Sequence, residues 1–137
     1  MATKKLAFVV RSLPYKTEAS RLALTHAISS QTVEIYLNDG DLVEASISYV
    51  GDGVFNVLKN QQAGKHYGIT TNEGHAKNTL LLDLRVLICK EDIDKFGLTK
   101  ENLVVDAEDL GGDTVANIVS YSEILKEMET ADHLLFC

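Results

Sequence analysis

Residues 5–11 read Lys-Leu-Ala-Phe-Val-Val-Arg, a run of apolar side chains enclosed by two cations. A short apolar run without polar alternation is typical of a strand that helices cover on both faces. It therefore predicts a central strand of a parallel sheet. The run is too short for the core of a signal peptide, so we expect no export.

Helical and extended patterns alternate after this strand. Thr17 can cap a helix whose apolar residues recur at helical spacing. Thr70, followed three residues later by Glu73, forms a capping-box pattern that opens a helix through Leu82. Strands that alternate with helices predict parallel pairing through right-handed crossovers. The expected fold class is α/β, a three-layer α/β/α sandwich whose mostly parallel sheet has about five strands, formed by residues 1–137 as a single domain.

Further elements are predicted in the second half of the chain. Residues 84–88 form an apolar strand that ends beside Cys89, and Gly97 can end the next short helix as a left-handed cap. Residues 103–106 predict a fourth strand, and the final His-Leu-Leu-Phe-Cys predicts a last one. Asp113 is expected to cap a helix with an apolar stripe, which comprises Val115, Ile118, Val119, Ser122, Leu125 and Met128.

Residues 31–50 allow two interpretations. Residues 32–37 and 43–50 both have extended patterns, and they flank Asn-Asp-Gly-Asp at 38–41, which is a strong turn signal. A hairpin and a lengthened helix followed by a loop both fit this pattern. Gly51-Asp52-Gly53 then ends a strand, and a further helical segment begins at Val54.

Composition excludes several classes of function. The net charge of −7 argues against direct binding to nucleic acid, because phosphate contacts need clustered Lys and Arg. No run approaches the roughly 18 apolar residues of a membrane-spanning helix, so we expect a soluble, cytoplasmic protein without membrane contact. The 4 His and 2 Cys lack the spacings of zinc sites, and we expect neither a metal nor a cofactor.

Candidate binding residues fall at the carboxyl ends of the predicted strands, where ligands gather in parallel sheets. Pro14 and Tyr15 follow the first strand, and Asp52 and Gly53 follow the second. Backbone N–H groups of this second segment could hold an anion, yet the glycine-rich phosphate patterns are missing. The alternative is a turn in which Asp52 caps a helix.

Cys89, after the third strand, is the candidate catalytic residue. A thiolate at a helix N-terminus is a sulfur nucleophile, although the helix dipole lowers a thiol pKa by less than about one unit. Lys90 would assist ionisation, whereas Glu91 and Asp92 would oppose it. The alternative is a small buried side chain that finishes the strand. Cys137 is either a resolving thiol or a frayed last residue.

Taken together, these residues resemble the DsrE/DsrF sulfur-relay family, and most closely its DsrF/TusC-type subunits. The matching segments are the first strand with its Pro14-Tyr15 loop, Asp52-Gly-Val-Phe with Gln61 beyond it, and residues 88–104 and 131–136. They occur in the family's order and span nearly the whole chain. The departures are Lys16, where the family often has glycine, and an apparent insertion between Ser30 and Val50.

The resemblance implies an α/β sandwich that associates with DsrE-like and DsrH-like subunits or with itself. It implies the passage of persulfide sulfur between donor and acceptor proteins, in sulfur oxidation or in the 2-thiolation of tRNA. In the DsrE-type subunit the sulfur-carrying cysteine lies eight residues before the glycine that ends the short helix. Cys89 and Gly97 reproduce that spacing.

DsrF-type subunits, however, often lack this cysteine, and their role looks architectural. Two functions therefore stay open, a sulfurtransferase or sulfur carrier that uses Cys89 and a non-catalytic assembly subunit that presents a partner's cysteine. A nucleotide-binding domain of similar architecture is disfavoured because no phosphate motif is present.

Overall fold

The computed structural model describes residues 3–15, 19–32, 42–62, 65–66, 68 and 71–137. Five parallel strands form one sheet in these residues: β1 (Thr3–Val10), β2 (Leu42–Tyr49), β3 (Arg85–Cys89), β4 (Asn117–Val119) and β5 (His133–Phe136). The α-helices are α1 (Ala19–Thr32), α2 (Asn72–Leu81), α3 (Lys90–Lys95) and α4 (Tyr121–Thr130). Helices flank the sheet, and the predicted three-layer fold is confirmed.

The strand order is β4-β3-β2-β1-β5. Phe8 of β1 lies beside Ile47 of β2 on one side and beside Leu135 of β5 on the other. The prediction that the first apolar run is an interior strand is therefore confirmed. β5 pairs with β1 and forms one edge of the sheet.

Alternate residues of the inner strands supply two cores, because successive side chains point to opposite faces of a sheet. The larger core lies between the sheet and helices α1 and α2, where Phe8, Ile47 and Ile88 pack against Leu24 and Leu80. On the other face a smaller cluster forms under α4. Its buried members are Leu87, Cys89 and Ile124.

The ends of two helices follow local chemistry. The side chain of Thr71 caps α2 by accepting the N–H of Gly74 at 3.1 Å. The predicted caps, Thr70 and Thr17, lie outside the described residues. Gly97, with φ of 70°, ends α3 as predicted, and the N–H of Leu98 closes the motif on the carbonyl of Ile93 at 2.8 Å.

The prediction of a strand at 103–106 is wrong. Leu103 and Asp106 form isolated antiparallel bridges, with Leu58 and Val115 respectively, and do not join the sheet. The side chains at 103–105 are buried, so their apolar pattern records burial in the core and not strand pairing. The fourth strand in sequence is β4, whose Val119 pairs with Cys89.

The prediction of a helix capped by Asp113 is also wrong. The helix α4 begins at Tyr121, and Ser120 caps it by accepting the N–H of Glu123 at 3.4 Å. The predicted apolar stripe does not lie on one helix: Val115 precedes β4, Ile118 and Val119 lie in β4, and Ser122, Leu125 and Met128 lie in α4. Within the ambiguous segment 31–50, Leu42–Tyr49 forms β2 and residues 33–41 lie outside the described residues.

None of the helices in the described ranges is long and apolar enough to cross a membrane.

A 3-10 helix at Gly51–Val57, hereafter the β2 turn, follows β2 in the chain and packs against the end of β1. The N–H of Val50 donates to the carbonyl of Val10 at 3.0 Å. A Cβ atom placed on Gly53 would lie 1.9 Å from that same carbonyl oxygen. The turn can therefore rest on β1 only because residue 53 has no side chain.

We expect Gly53→Ala to lower the free energy of unfolding by about 3 kcal/mol, since the clash is with backbone that cannot rotate away. Gly97→Ala is the matched control, because a Cβ there meets nothing within 4 Å and only the left-handed φ is penalised. That penalty is about 1 kcal/mol. Denaturant unfolding of both variants measures the difference, and equal losses would contradict the close-approach argument.

Candidate functional site

The predicted site residues follow β1, β2 and β3 at the carboxyl edge of the sheet. The structure divides them into two places, with Tyr15 on one side of the β2 turn and Cys89 on the other. Pro14 is half-buried in the loop after β1, and Asp52 is exposed. Their predicted roles in binding stay predictions.

Tyr15 fastens the loop after β1 to two other segments. Its φ is 66°, a left-handed conformation that is uncommon for a residue with a side chain. Its hydroxyl donates to Oε1 of Gln61 and accepts the N–H of Asn72, at the start of α2, at 2.9 Å. The side-chain amide of Gln61 in turn donates to the carbonyls of Asn56 and Leu58, both at 2.9 Å.

Two buried amides continue this network. Nδ2 of Asn72 donates to Oδ1 of Asn56 at 2.7 Å, and Nδ2 of Asn56 donates to the carbonyls of Ser12 and Gly53, both at 3.0 Å. Both asparagines are fully buried. We call Tyr15, Asn56, Gln61 and Asn72 the Tyr15 brace. Sequence reasoning missed Asn56 and Asn72, because a single asparagine in a loop carries no recognisable motif.

Two backbone donors of the β2 turn are occupied. The N–H of Gly51 donates to the Asp92 carboxylate at 2.7 Å, and the N–H of Gly53 donates to the carbonyl of Val50 at 2.9 Å. These groups are therefore not open to an anion in this arrangement. The interpretation of Asp52 as a cap is wrong, since Val50 occupies the N-cap position and makes no side-chain cap.

Cys89 closes β3 and occupies the N-cap position of α3. Its side chain is 1% exposed. It packs against Leu87 and Ile124, with the partly buried Val50, Val119 and Met128 around them. The thiol is therefore at the predicted edge of the sheet but lies beneath apolar side chains of β4 and α4.

The surroundings of Cys89 favour the protonated thiol. Burial, the largest effect, raises its pKa, and the Asp92 and Glu91 carboxylates contribute to the same rise, which brings the pKa to about 11. The backbone N–H of Asp92 acts in the opposite direction and is outweighed. The predicted opposition of Glu91 and Asp92 to ionisation is confirmed. Asp92 thus holds the β2 turn and suppresses the thiolate at once.

Cys137, the second free cysteine, lies half-buried after β5. Burial raises its pKa, and the Arg11 guanidinium partly offsets that rise. Three strand spacings of about 4.8 Å separate β3 from β5, which is far beyond the roughly 7 Å Cα separation that a disulfide allows. The structure therefore does not bring Cys137 within reach of Cys89 as a resolving thiol.

In the described part of the chain, no group of three or more His, Cys, Asp or Glu side chains could hold a metal ion.

Comparison with known proteins identifies the family. The pattern of the DsrE/DsrF-like family matches residues 4–130. The chain belongs to the DsrE/DsrF-like family. The TusC homolog of Vibrio parahaemolyticus serotype O3:K6 (strain RIMD 2210633) is 27% identical over 135 residues, which cover 96% of this chain and 97% of the relative. The predicted resemblance to DsrF/TusC-type subunits is confirmed, and membership supports a role in sulfur relay.

Two solved structures agree with this architecture. The YchN protein from E. coli superimposes with a TM-score of 0.69 at 20% identity, over 98% of this chain and 99% of that one. A protein of unknown function from Methanobacterium thermoautotrophicum gives a TM-score of 0.60 at 12% identity, over 98% and 99% of the two chains. At these identities the likeness shows the fold alone.

We expect Tyr15→Phe to lower the free energy of unfolding by about 1 to 2 kcal/mol, because the hydroxyl links Gln61 to Asn72. Tyr121→Phe is the matched control, since Tyr121 is 41% exposed and Tyr15 is 38% exposed. Denaturant unfolding gives both values. A Tyr15→Phe variant as stable as the control would show that the brace does not stabilise the fold.

We expect Cys89 to resist alkylation at neutral pH and to react with a pH midpoint near 11, because burial and Asp92 hold it as a thiol. Asp92→Asn keeps a hydrogen-bond acceptor for Gly51 but removes a negative charge, so it should lower the midpoint. Asp94→Asn, whose carboxylate pairs with Lys90 at 3.4 Å, is the control. The measurement is the rate of reaction with iodoacetamide as a function of pH, in a Cys137→Ser background. If Cys89 reacts at neutral pH as fast as a free thiol does, the prediction is wrong.

Proposed function

We propose that this chain is an architectural subunit of a cytoplasmic sulfur relay. It holds DsrE-like and DsrH-like subunits in place, and one of these partners carries the reactive cysteine. The observation that carries the proposal is the 1% exposure of Cys89, at the position where a carrier needs a reachable nucleophile. Family membership supports the relay itself.

Sulfur acceptance has two requirements that this arrangement opposes. A carrier thiolate must attack the outer sulfur of a donor persulfide, forming a new S–S bond while the old one breaks and the donor leaves as a thiolate. The donor must therefore touch the carrier sulfur directly. Ile124 and its neighbours cover Cys89 and exclude a donor of protein size.

The ionisation of Cys89 is opposed as well. Its pKa lies near 11, compared with an ordinary value of 9.0 for the thiol. Each unit of pKa reduces the thiolate fraction tenfold at a given pH below both values, so the loss is about a hundredfold. The burial of Cys89 and its raised pKa thus both oppose sulfur acceptance.

The second candidate function is that of a sulfur carrier using Cys89, and one observation favours it. Cys89 lies at the carboxyl edge of the sheet, at the start of α3 and eight residues before Gly97, the spacing of the DsrE-type carrier cysteine. Exposure would require α4 to move away from a cluster of only three fully buried side chains. Opening so small a cluster is cheaper than opening the main core, since the free energy lost scales with the apolar area exposed.

The acidic character of the chain bears on its place in a relay. A net charge of −7 disfavours contact with tRNA phosphates. In a tRNA-directed pathway we therefore assign the nucleic-acid contact to a partner subunit.

We expect Cys89→Ala to leave sulfur transfer through the reconstituted set of subunits unchanged, because the sulfur path bypasses this residue. The measurement is the transfer of labelled sulfur from a persulfide donor to the acceptor protein. Alanine at the reactive cysteine of the DsrE-like partner is the positive control and should abolish transfer.

The intact mass of the chain after exposure to the persulfide donor tests the alternative, a sulfur carrier that uses Cys89. A wild-type chain that gains one sulfur atom, when Cys89→Ala does not and Cys137→Ala does, is a carrier.

A further inference from the structure

The edge strand β5 exposes apolar side chains on both of its faces. Leu134, Leu135 and Phe136 are 43%, 39% and 53% exposed. By the sheet register, Leu134 and Phe136 point to the α4 side, and Leu135 points to the side of α1. Edge strands are normally protected by charge, proline or a bulge, and the Leu-Leu-Phe segment has none of these.

The outer main-chain groups of β5 are directed away from the molecule. The N–H of Cys137 donates to the carbonyl of Val9, and its own carbonyl accepts the N–H of Arg11. Because hydrogen-bonding direction alternates along a strand, Leu135 also bonds inward, and Leu134 and Phe136 present their N–H and C=O groups outward. No strand in the described ranges pairs with this outer side.

The face of the sheet that packs against α1 carries a groove beside β5. It has a volume of about 680 Å³ and is lined by Leu6 and Phe8, by His26 and Ser29 of α1, and by Leu135. The groove thus shares the apolar Leu135 wall with the open edge.

The sequence of β5 is complementary to itself in the antiparallel direction. A two-fold axis at Leu135 places Leu134 of one copy opposite Phe136 of the other, and the two residues can exchange both main-chain hydrogen bonds. Leu135 then faces its own equivalent at the close, non-hydrogen-bonded separation. Apolar side chains meet apolar side chains on both faces.

The charges at the two ends of the strand fit the same arrangement. Asp132 precedes β5, and the guanidinium of Arg11 lies 5.6 Å from the ring of Phe136, near the other end. In register, Arg11 is level with the position after Cys137, which the axis relates to Asp132 of the second copy. Two strand spacings of about 4.8 Å separate these residues, within reach of an arginine side chain. The contact occurs twice by symmetry.

We propose that a second copy of this chain docks on β5, with antiparallel pairing centred on Leu135, to form a continuous ten-stranded sheet across a two-fold axis. Paired edge strands bury both apolar rows and satisfy the outward main-chain groups. The interface lies on the opposite side of β1 from Cys89, so it is independent of the proposed relay role.

The test uses the full chain with Cys137→Ser as the common background. Leu135→Cys should give a covalent dimer under mild oxidation, because the two sulfur atoms meet on the axis at a separation that suits a disulfide. Leu110→Cys is the matched control, since Leu110 is an exposed leucine far from β5 and should stay monomeric.

Light scattering with size-exclusion chromatography supplies the second measurement. The parent chain should be a dimer at high concentration, and Leu134→Lys should shift it to monomer, whereas Leu110→Lys should not. Arg11→Asp and Asp132→Arg should each weaken the dimer at least tenfold, and combining them should restore it. Thermal unfolding verifies that each variant is folded.

Two results would overturn the proposal. One is a monomer at every concentration together with no Leu135→Cys cross-link. The other is a dimer that Leu134→Lys leaves intact, since that association would use a different surface. Neither result bears on sulfur transfer, which is measured with partner subunits and scored at Cys89.

Discussion

The approach of Gly53 to the carbonyl of Val10 is the constraint on which the carboxyl edge of this sheet depends. It lets the β2 turn rest on the end of β1, with the N–H of Val50 bonded to the same carbonyl. From that position the turn reaches in two directions. Asn56 extends into the Tyr15 brace, and Gly51 reaches the carboxylate of Asp92. A side chain at residue 53 would push both contacts apart.

Both halves of the carboxyl edge are consequently closed by interactions within the chain. On the Tyr15 side, Nδ2 of Asn72 donates to Asn56 and Nδ2 of Asn56 donates to loop carbonyls, so these donors hold the loops together. On the Cys89 side, the carboxylate that holds the turn also disfavours the thiolate. An edge that usually receives ligands is here occupied by its own loops. This closure agrees with an architectural role better than with chemistry at the sulfur.

The sequence predicted the elements whose signals are local. The apolar run of β1, the glycine that ends α3 and the final strand all carry their pattern within a few residues, and each was placed correctly. The position of Cys89 at a strand end was predictable for the same reason. Its burial was one of two alternatives that the sequence left open, because the covering residues, Ile124 and Met128, come from a helix more than thirty positions away.

The predictions were wrong where a buried apolar segment is not a strand, or where a strand is too short to show a pattern. Residues 103–105 are buried like a strand yet bond to loops, and β4 has only three residues, too few for a periodic pattern to distinguish it from the helix that follows.

The surface at the end of β3 and the surface at the edge strand β5 differ in how far they are covered. At β3, apolar side chains cover the sulfur and the main-chain groups around it are bonded. At β5, apolar side chains are open to solvent on both faces, and the outward main-chain groups of Leu134 and Phe136 face the sheet edge. Open apolar edges favour association, because pairing removes apolar area from water and satisfies backbone donors together. The contact that we propose between copies therefore lies at the edge of the sheet, away from the closed cysteine, and is compatible with the proposed architectural role.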